Sequence, residues 1–250
     1  MIILAKVVGG SHMYGLNTPE SDYDERYVFM HDELSRTIGL DRYEHQDERG
    51  GEQDKFGFEL RHYLNLLRKT NTQVVELLFA DEYIYVHPLF RQLLINNRLQ
   101  LLDTERMYKS LRGYIHGERR LANGERTGLL GGKRKAAVEK YGFSYKNFVQ
   151  LFRLAFCGRY FIQHQIFPTR IETVDKNLHN WLMELKTHPE KFTCKQLDDL
   201  VTAEEALLED LFENRDKSKD LKFNEELANN ILLQFYFPVL EQLYSKLITK

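Results

Sequence analysis

Cysteine is scarce in this 250-residue chain: there are two, Cys157 and Cys194, far apart and in no metal-ligand spacing. That excludes a disulfide framework and a thiolate zinc site as organising devices, and it suits a reducing compartment, the cytoplasm by default. Long apolar runs are missing too. The opening MIILAKVVGG and the late ILLQFYFPVL fall well short of the roughly 18 residues that span a bilayer, so neither a membrane segment nor a signal peptide is expected. No repeat and no segment of low complexity is visible, which excludes solenoids and disordered tracts. What remains, 42 % hydrophobic and 29 % charged residues, is the composition of an ordinary folded protein with a sizeable core.

The formal net charge of -2 hides an asymmetry. From Glu20 to Leu60 there are 13 acidic residues against 5 basic, whereas from Arg106 to Arg153 there are 12 basic against 3 acidic. Carboxylates that hold metal ions and a separate surface that receives phosphates would need such a layout, although mixed solvated helix faces also produce charge.

The first eight residues are rich in Ile and Val and end at Gly9 and Gly10, a buried strand closing in a turn. The segment SHMYGLNTPESD reads as loop or short helix, and YDERYVFM resumes a strand. A polar loop is expected from Asp41 to Glu52, then a third strand in DKFGFEL and a helix with Leu60, Tyr63, Leu64 and Leu67 on one face. Beyond this nearly everything reads as helix: PLFRQLLINNRLQLL with Pro88 at its start, RMYKSLRGYIHGERRLA, then Lys133–Tyr141, Tyr145–His164 and two amphipathic stretches in the last third. The expected architecture is α+β: a small mixed-sheet domain over 1–105 followed by a helical domain over 106–250.

The chemistry concentrates in GGSHMYGLNTPESDYDERYVF. Residues two apart on a strand share a face, so Asp22 and Asp24 point together while Tyr23 points away. Two adjacent anions are unfavourable without a compensating cation, and carboxylate oxygens are the hard ligands that Mg2+ prefers. Gly10 and Ser11 sit where a strand turns toward a helix start, with peptide N–H groups and a hydroxyl suited to phosphate. His12 reads as a local hydrogen-bonding residue whose place beside Ser11 also allows nucleotide contact.

Gly10-Ser11 after a hydrophobic strand, with Asp22-x-Asp24 opening a second strand, resembles the signature of polymerase-beta-like nucleotidyltransferases. The fuller string, Gly10, Ser11, Tyr14, Gly15, Leu16 and Thr18 with Ser21, Asp22, Asp24 and Arg26 behind it, is similar to the RNA-repair-associated polymerase (RlaP-like) branch. The run DKFGFELRHYLNLLRKTNTQVVELLF resembles that branch's third-carboxylate strand and helix; this nominates Asp54, with Glu52 and Glu59 as alternatives, and leaves Glu76 without a stated role. KYGFSYKNFVQLFRL resembles a later helical motif through Lys146 and Arg153, but Ser144 replaces a common Asp and Gln150 a common His.

The resemblance implies Mg2+, or Mn2+ in its place, held by Asp22, Asp24 and Asp54 beside a bound nucleoside triphosphate. It implies phosphates at Gly10 and Ser11, with Arg26 on either a phosphate or a carboxylate. Lys133, Lys140, Lys146 and Arg153 would form a cationic wall toward the triphosphate or an RNA backbone. The implied reaction moves a nucleoside monophosphate to an RNA 3′ end; a protein hydroxyl as acceptor and a nucleotide-binding module without turnover are the other readings.

Other motifs carry less. GLLGGKRK lacks the Walker pattern, since Thr127 and Arg134 stand where Gly and Ser or Thr are needed, and it reads as a flexible loop presenting Lys133, Arg134 and Lys135. The His31-Asp32 doublet ends a strand, unlike the metal-binding doublets of helical phosphohydrolases. The aromatic residues of Tyr145–Phe167 are mostly core by spacing.

Overall fold

A computed structural model of the chain describes residues 1–33, 36, 45–48, 53–125, 128 and 130–248. The architecture is α+β, as expected: a mixed sheet near the amino terminus, then mostly helix. The described residues divide into two compact units, Met1–Asp103 with Leu221–Lys250, and Thr104–Asp220.

In the first unit, β1 (Ile2–Val8) pairs antiparallel with β2 (Tyr23–Met30), and β2 pairs in parallel with β4 (Gln53–Glu59). The edges are β3 (His45–Glu48) against β4 and the two-residue β5 (Tyr85–Val86) against β1, both antiparallel, giving the order β3-β4-β2-β1-β5. The β2 sequence explains how the sheet divides. Its first four residues, Tyr-Asp-Glu-Arg, are half-buried, and its last four, Tyr-Val-Phe-Met, are buried. One end of the sheet is therefore core and the other is open to chemistry.

The core end is covered by α2 (Leu60–Arg68), whose buried Leu60, Tyr63, Leu64 and Leu67 recur at helical spacing. Glu59 caps it, its carboxylate accepting from the Arg61 and His62 amides at 3.0 and 3.2 Å. Asn71 likewise caps α3 (Thr72–Leu78), and the Tyr63 hydroxyl donates to the Val74 carbonyl at 3.1 Å, joining the two helices.

Three expectations are corrected. The stretch expected as one loop from Asp41 to Glu52 contains β3; His-Gln-Asp-Glu has no apolar alternation, and pairing with β4 plus a 2.7 Å bond from the Tyr27 hydroxyl to Gln46 Oε1 makes it a strand. The rest of that stretch lies outside the described residues. The single helix expected from Pro88 is broken: a short α-turn capped by His87 continues as π-type Arg91–Ile95, and a separate 3₁₀ turn spans Arg98–Leu101. Of the two readings that overlap at Lys133, Arg134 and Lys135, the helix over Lys133–Tyr141 is present and the flexible loop is not. Thr127 is outside the described residues.

The second unit is built around α6 (Tyr145–His164), packed by α4 (Thr104–Ala122), α7 (Lys176–Thr187) and α8 (Cys194–Glu213), with α5 (Gly132–Tyr141) at its start. Gly158 lets α4 and α6 approach closely, because a Cβ there would collide with Leu111. Phe148, Phe152 and Phe161 of α6 are buried, and Phe152 meets Trp181 edge-on at 4.9 Å, so these rings are core as their spacing suggests.

Within the first unit, Met1–Asp103 is joined by Leu221–Lys250, which carries the closing helix α9 (Glu225–Ile248). Buried Ala228, Ile231, Phe235 and Tyr236 account for this, with Asn224 N donating to the Gln100 carbonyl at 2.8 Å and Arg68 pairing with Glu225 at 2.6 Å. Among the described residues no helix is long and apolar enough to cross a membrane.

Candidate active site

Parallel pairing of β2 with β4 sets Asp24 directly opposite Asp54. Register partners on adjacent strands project from the same face, so the two carboxylates stand together, with exposed Asp22 two residues before Asp24. Partial burial raises the Asp24 pKa above the ordinary carboxylate range; Asp54 and Asp22 push it further up, and Arg26 and His12 pull against them. These five side chains thus act on one another through one local field.

Gly10 explains the strand end beneath them. Its φ of +59 is left-handed, and a Cβ would run into Asp24 Oδ2. Glycine is needed there on both counts. The Gly9 amide donates to the Asp24 carbonyl at 2.8 Å, which locks the turn onto β2. Gly10 opens a single turn, α1 (Gly10–Met13), that carries half-exposed Ser11 and places the His12 ring edge-on to Tyr23 at 5.6 Å. His12 Nε2 is buried with no hydrogen-bond partner. A buried ring nitrogen in that condition is costly unless a ligand completes it.

Arg26 points to a carboxylate. Its Nη1 pairs with Glu76 and donates to the Gln73 carbonyl at 3.1 Å, and Glu76 also accepts from the Tyr14 hydroxyl. Glu76, 2 % exposed, therefore ties α3 to β2 and to the end of the α1 turn. This is the role that sequence reading leaves blank, because Glu76 is 50 and 62 residues from its partners. Of the alternatives to Asp54, the Glu59 carboxylate is engaged as a helix cap and alternates to the other face, while Glu52 lies outside the described residues.

Among the described residues no group of three or more His, Cys, Asp and Glu side chains forms a metal-holding cluster. In donor chemistry Asp22, Asp24 and Asp54 would offer a hard cation carboxylate oxygens, and the rise in the Asp24 pKa, caused first by burial and then by Asp54 and Asp22, is one that a divalent ion beside it would oppose.

The remaining candidates belong to the second unit. Lys146 and Arg153 are two turns apart on one face of α6, with Gln150 between them. Gln150 accepts from Arg134 Nη2 at 3.4 Å and donates to the Tyr114 hydroxyl, so Arg134 joins this face. Lys186 of α7 adds a fourth cation; burial first, and then Lys146, lowers its pKa. Arg153 is 9 % exposed. Lys133 and Lys140 are exposed on α5, with the Lys140 ammonium 4.9 Å from the Tyr141 ring centroid. Arg134 and Lys186 are additions that spacing on a single helix does not reveal. Ser144 is buried and hydrogen-bonded to Asn147 Oδ1 at 2.6 Å, and Asn147 donates to Glu118 at 2.6 Å, so the position where an Asp is common serves here to join α6 to α4.

Residues 1–234 match a family model described as RlaP, RNA repair pathway DNA polymerase beta family. A comparison with curated proteins finds no match.

Proposed function

Because the chain belongs to the RNA repair pathway DNA polymerase beta family, we propose that it transfers a nucleoside monophosphate from a nucleoside triphosphate to an RNA 3′-hydroxyl, releasing pyrophosphate. The family itself suggests nucleotidyl transfer. The observation that carries the finer reading is Asp24 registered opposite Asp54, with its carboxyl held up by burial and by two neighbouring anions.

In this reading Asp22, Asp24 and Asp54 hold Mg2+ or Mn2+. A divalent ion bound there lowers the pKa of the attacking hydroxyl and neutralises charge on the departing pyrophosphate. The protein's own groups position the rest. The Ser11 hydroxyl and the peptide at Gly10 take the β and γ phosphates, and His12 Nε2 gains its missing partner from the bound triphosphate. Arg26, gripped by Glu76, steadies β2 and tempers the charge at Asp24. The acceptor oxygen bonds to the α-phosphorus as the bond to the bridging oxygen breaks. Lys146, Arg153 and Arg134, with Lys133 and Lys140 on α5, bind RNA phosphates, so RNA affinity falls with salt.

Incubation of the protein and Mg2+ with α-labelled triphosphates, total RNA and total protein tests this. Label in the RNA fraction, with matching pyrophosphate, is expected. Label confined to protein would replace RNA by a protein hydroxyl, and absence of both label and pyrophosphate would defeat the catalytic reading.

A further inference from the structure

An in-line displacement places the attacking and leaving oxygens on opposite sides of the phosphorus. In the proposed reaction the leaving pyrophosphate lies at Gly10 and Ser11, which follow β1, and the sheet runs β1, β2, β4, β3 from there. The acceptor end must therefore approach over β4 and β3, beyond Asp54. The side chains on that part of the same face are identified by register: Asp54 is followed two residues on by Phe56 and then Phe58, and His45 pairs with Phe58.

There the His45 ring stacks on Phe56, centroids 5.8 Å apart and planes within 12°. Phe56 in turn rests edge-on against Phe58 at 4.9 Å, and Phe58 is buried. The stack is thus footed in the core and ends in an exposed imidazole, with His62 of α2 6.4 Å to one side. Phe56 is about 7 Å along the strand from Asp54, two residues of extended chain, which suits the reach from a 3′-oxygen to its own base. Aromatic faces that end in solvent beside a phosphate-handling site are platforms for bases, and they accept any base because every base has a π-face.

We propose that the His45–Phe56 stack seats the terminal nucleobase of the acceptor RNA and so positions its 3′-hydroxyl. This rests on the nucleotidyl-transfer reading above and adds the residues that hold the acceptor. Two oligoribonucleotide acceptors, one intact and one abasic at its 3′-terminal residue, test it with the full chain and Mg2+. Loss of the base should raise the wild-type KM for acceptor about tenfold. His45→Ala, at an exposed position, should raise the KM for the intact acceptor by a similar factor and no longer distinguish the two. His45→Tyr should restore the distinction, and Phe56→Leu, which keeps apolar volume but removes the ring, should behave like His45→Ala. The triphosphate KM should stay within about twofold throughout. An unchanged abasic penalty in His45→Ala, or a rise in the triphosphate KM alone, would overturn this assignment while leaving transfer to RNA intact. Failure of the wild type to label any RNA would defeat the functional reading and this one with it.

Discussion

Each unit contains a carboxylate cluster, and the two treat charge in opposite ways. In the second unit Arg119 grips both oxygens of Asp198 at 2.6 Å, reaches Glu205 at 2.8 Å and donates to Thr202, while Asn123 adds a bond to Asp198 at 2.9 Å. The Asp198 pKa is lowered, chiefly by its hydrogen bond from Arg119, and that of Arg119 is raised. In the first unit Asp24 moves the other way, raised by burial and by Asp54 and Asp22 in spite of Arg26 and His12. A cluster satisfied by its own cation stabilises a fold; in the proposed function the one whose carboxyl remains raised is where a cation from outside would bind. Two residues along β2 the contrast repeats in miniature, since Arg26 and buried Glu76 neutralise each other.

The largest effect that would sharpen this comparison is catalytic. Asp54→Asn should reduce label transfer to RNA by about a thousandfold or more, as expected when transition-state charge loses its counter-ion. Transfer that survives within tenfold would remove Asp54 from the site. A smaller but structural effect is expected at the neutralised pair: Arg26→Ala leaves the Glu76 charge buried and should cost about 3 kcal/mol in denaturant unfolding. A loss under about 0.5 kcal/mol would mean that Glu76 is not the anchor described.

The closed cluster gives a lesser change with a defined pH dependence. Asp198 has a lowered folded-state pKa, so its contribution is present above the unfolded value and disappears as pH falls through the folded one. Asp198→Asn should therefore destabilise the protein by about 1 kcal/mol at neutral pH, and the difference from wild type should close on acidification below about pH 4. Asp24 carries the opposite sign: its raised pKa favours the folded state in acid, and that benefit is lost as pH rises through the folded value. Asp24→Asn should accordingly raise Tm by about 2 °C at neutral pH without added metal, with the gain vanishing in acid. A drop in Tm at neutral pH would show that Asp24 is already satisfied.

These contrasts also show what was legible in the sequence. The nearness of Asp22 to Asp24 follows from their spacing, although Asp22 precedes β2, which begins at Tyr23, and the glycine turn follows from Gly9 and Gly10. The register that brings Asp54 to Asp24 does not, because β2 and β4 pair directly and in parallel while β3, which separates them in sequence and has no apolar pattern, lies at the sheet edge. Glu59 and Asp54 look equivalent in sequence and separate only once Glu59 is seen to cap α2. The helical remainder was readable from its periodicity, but the attachment of α9 to the first unit depends on which neighbours bury Phe235 and Tyr236. Tertiary partners, more than local pattern, decide such questions.

Mn2+ binding followed by electron paramagnetic resonance, with a non-hydrolysable triphosphate present, tests the central claim without relying on turnover. The account predicts bound Mn2+ in the wild type and its loss in both Asp24→Asn and Asp54→Asn, with Asp198→Asn binding as the wild type does. Equal binding by all four proteins would contradict it.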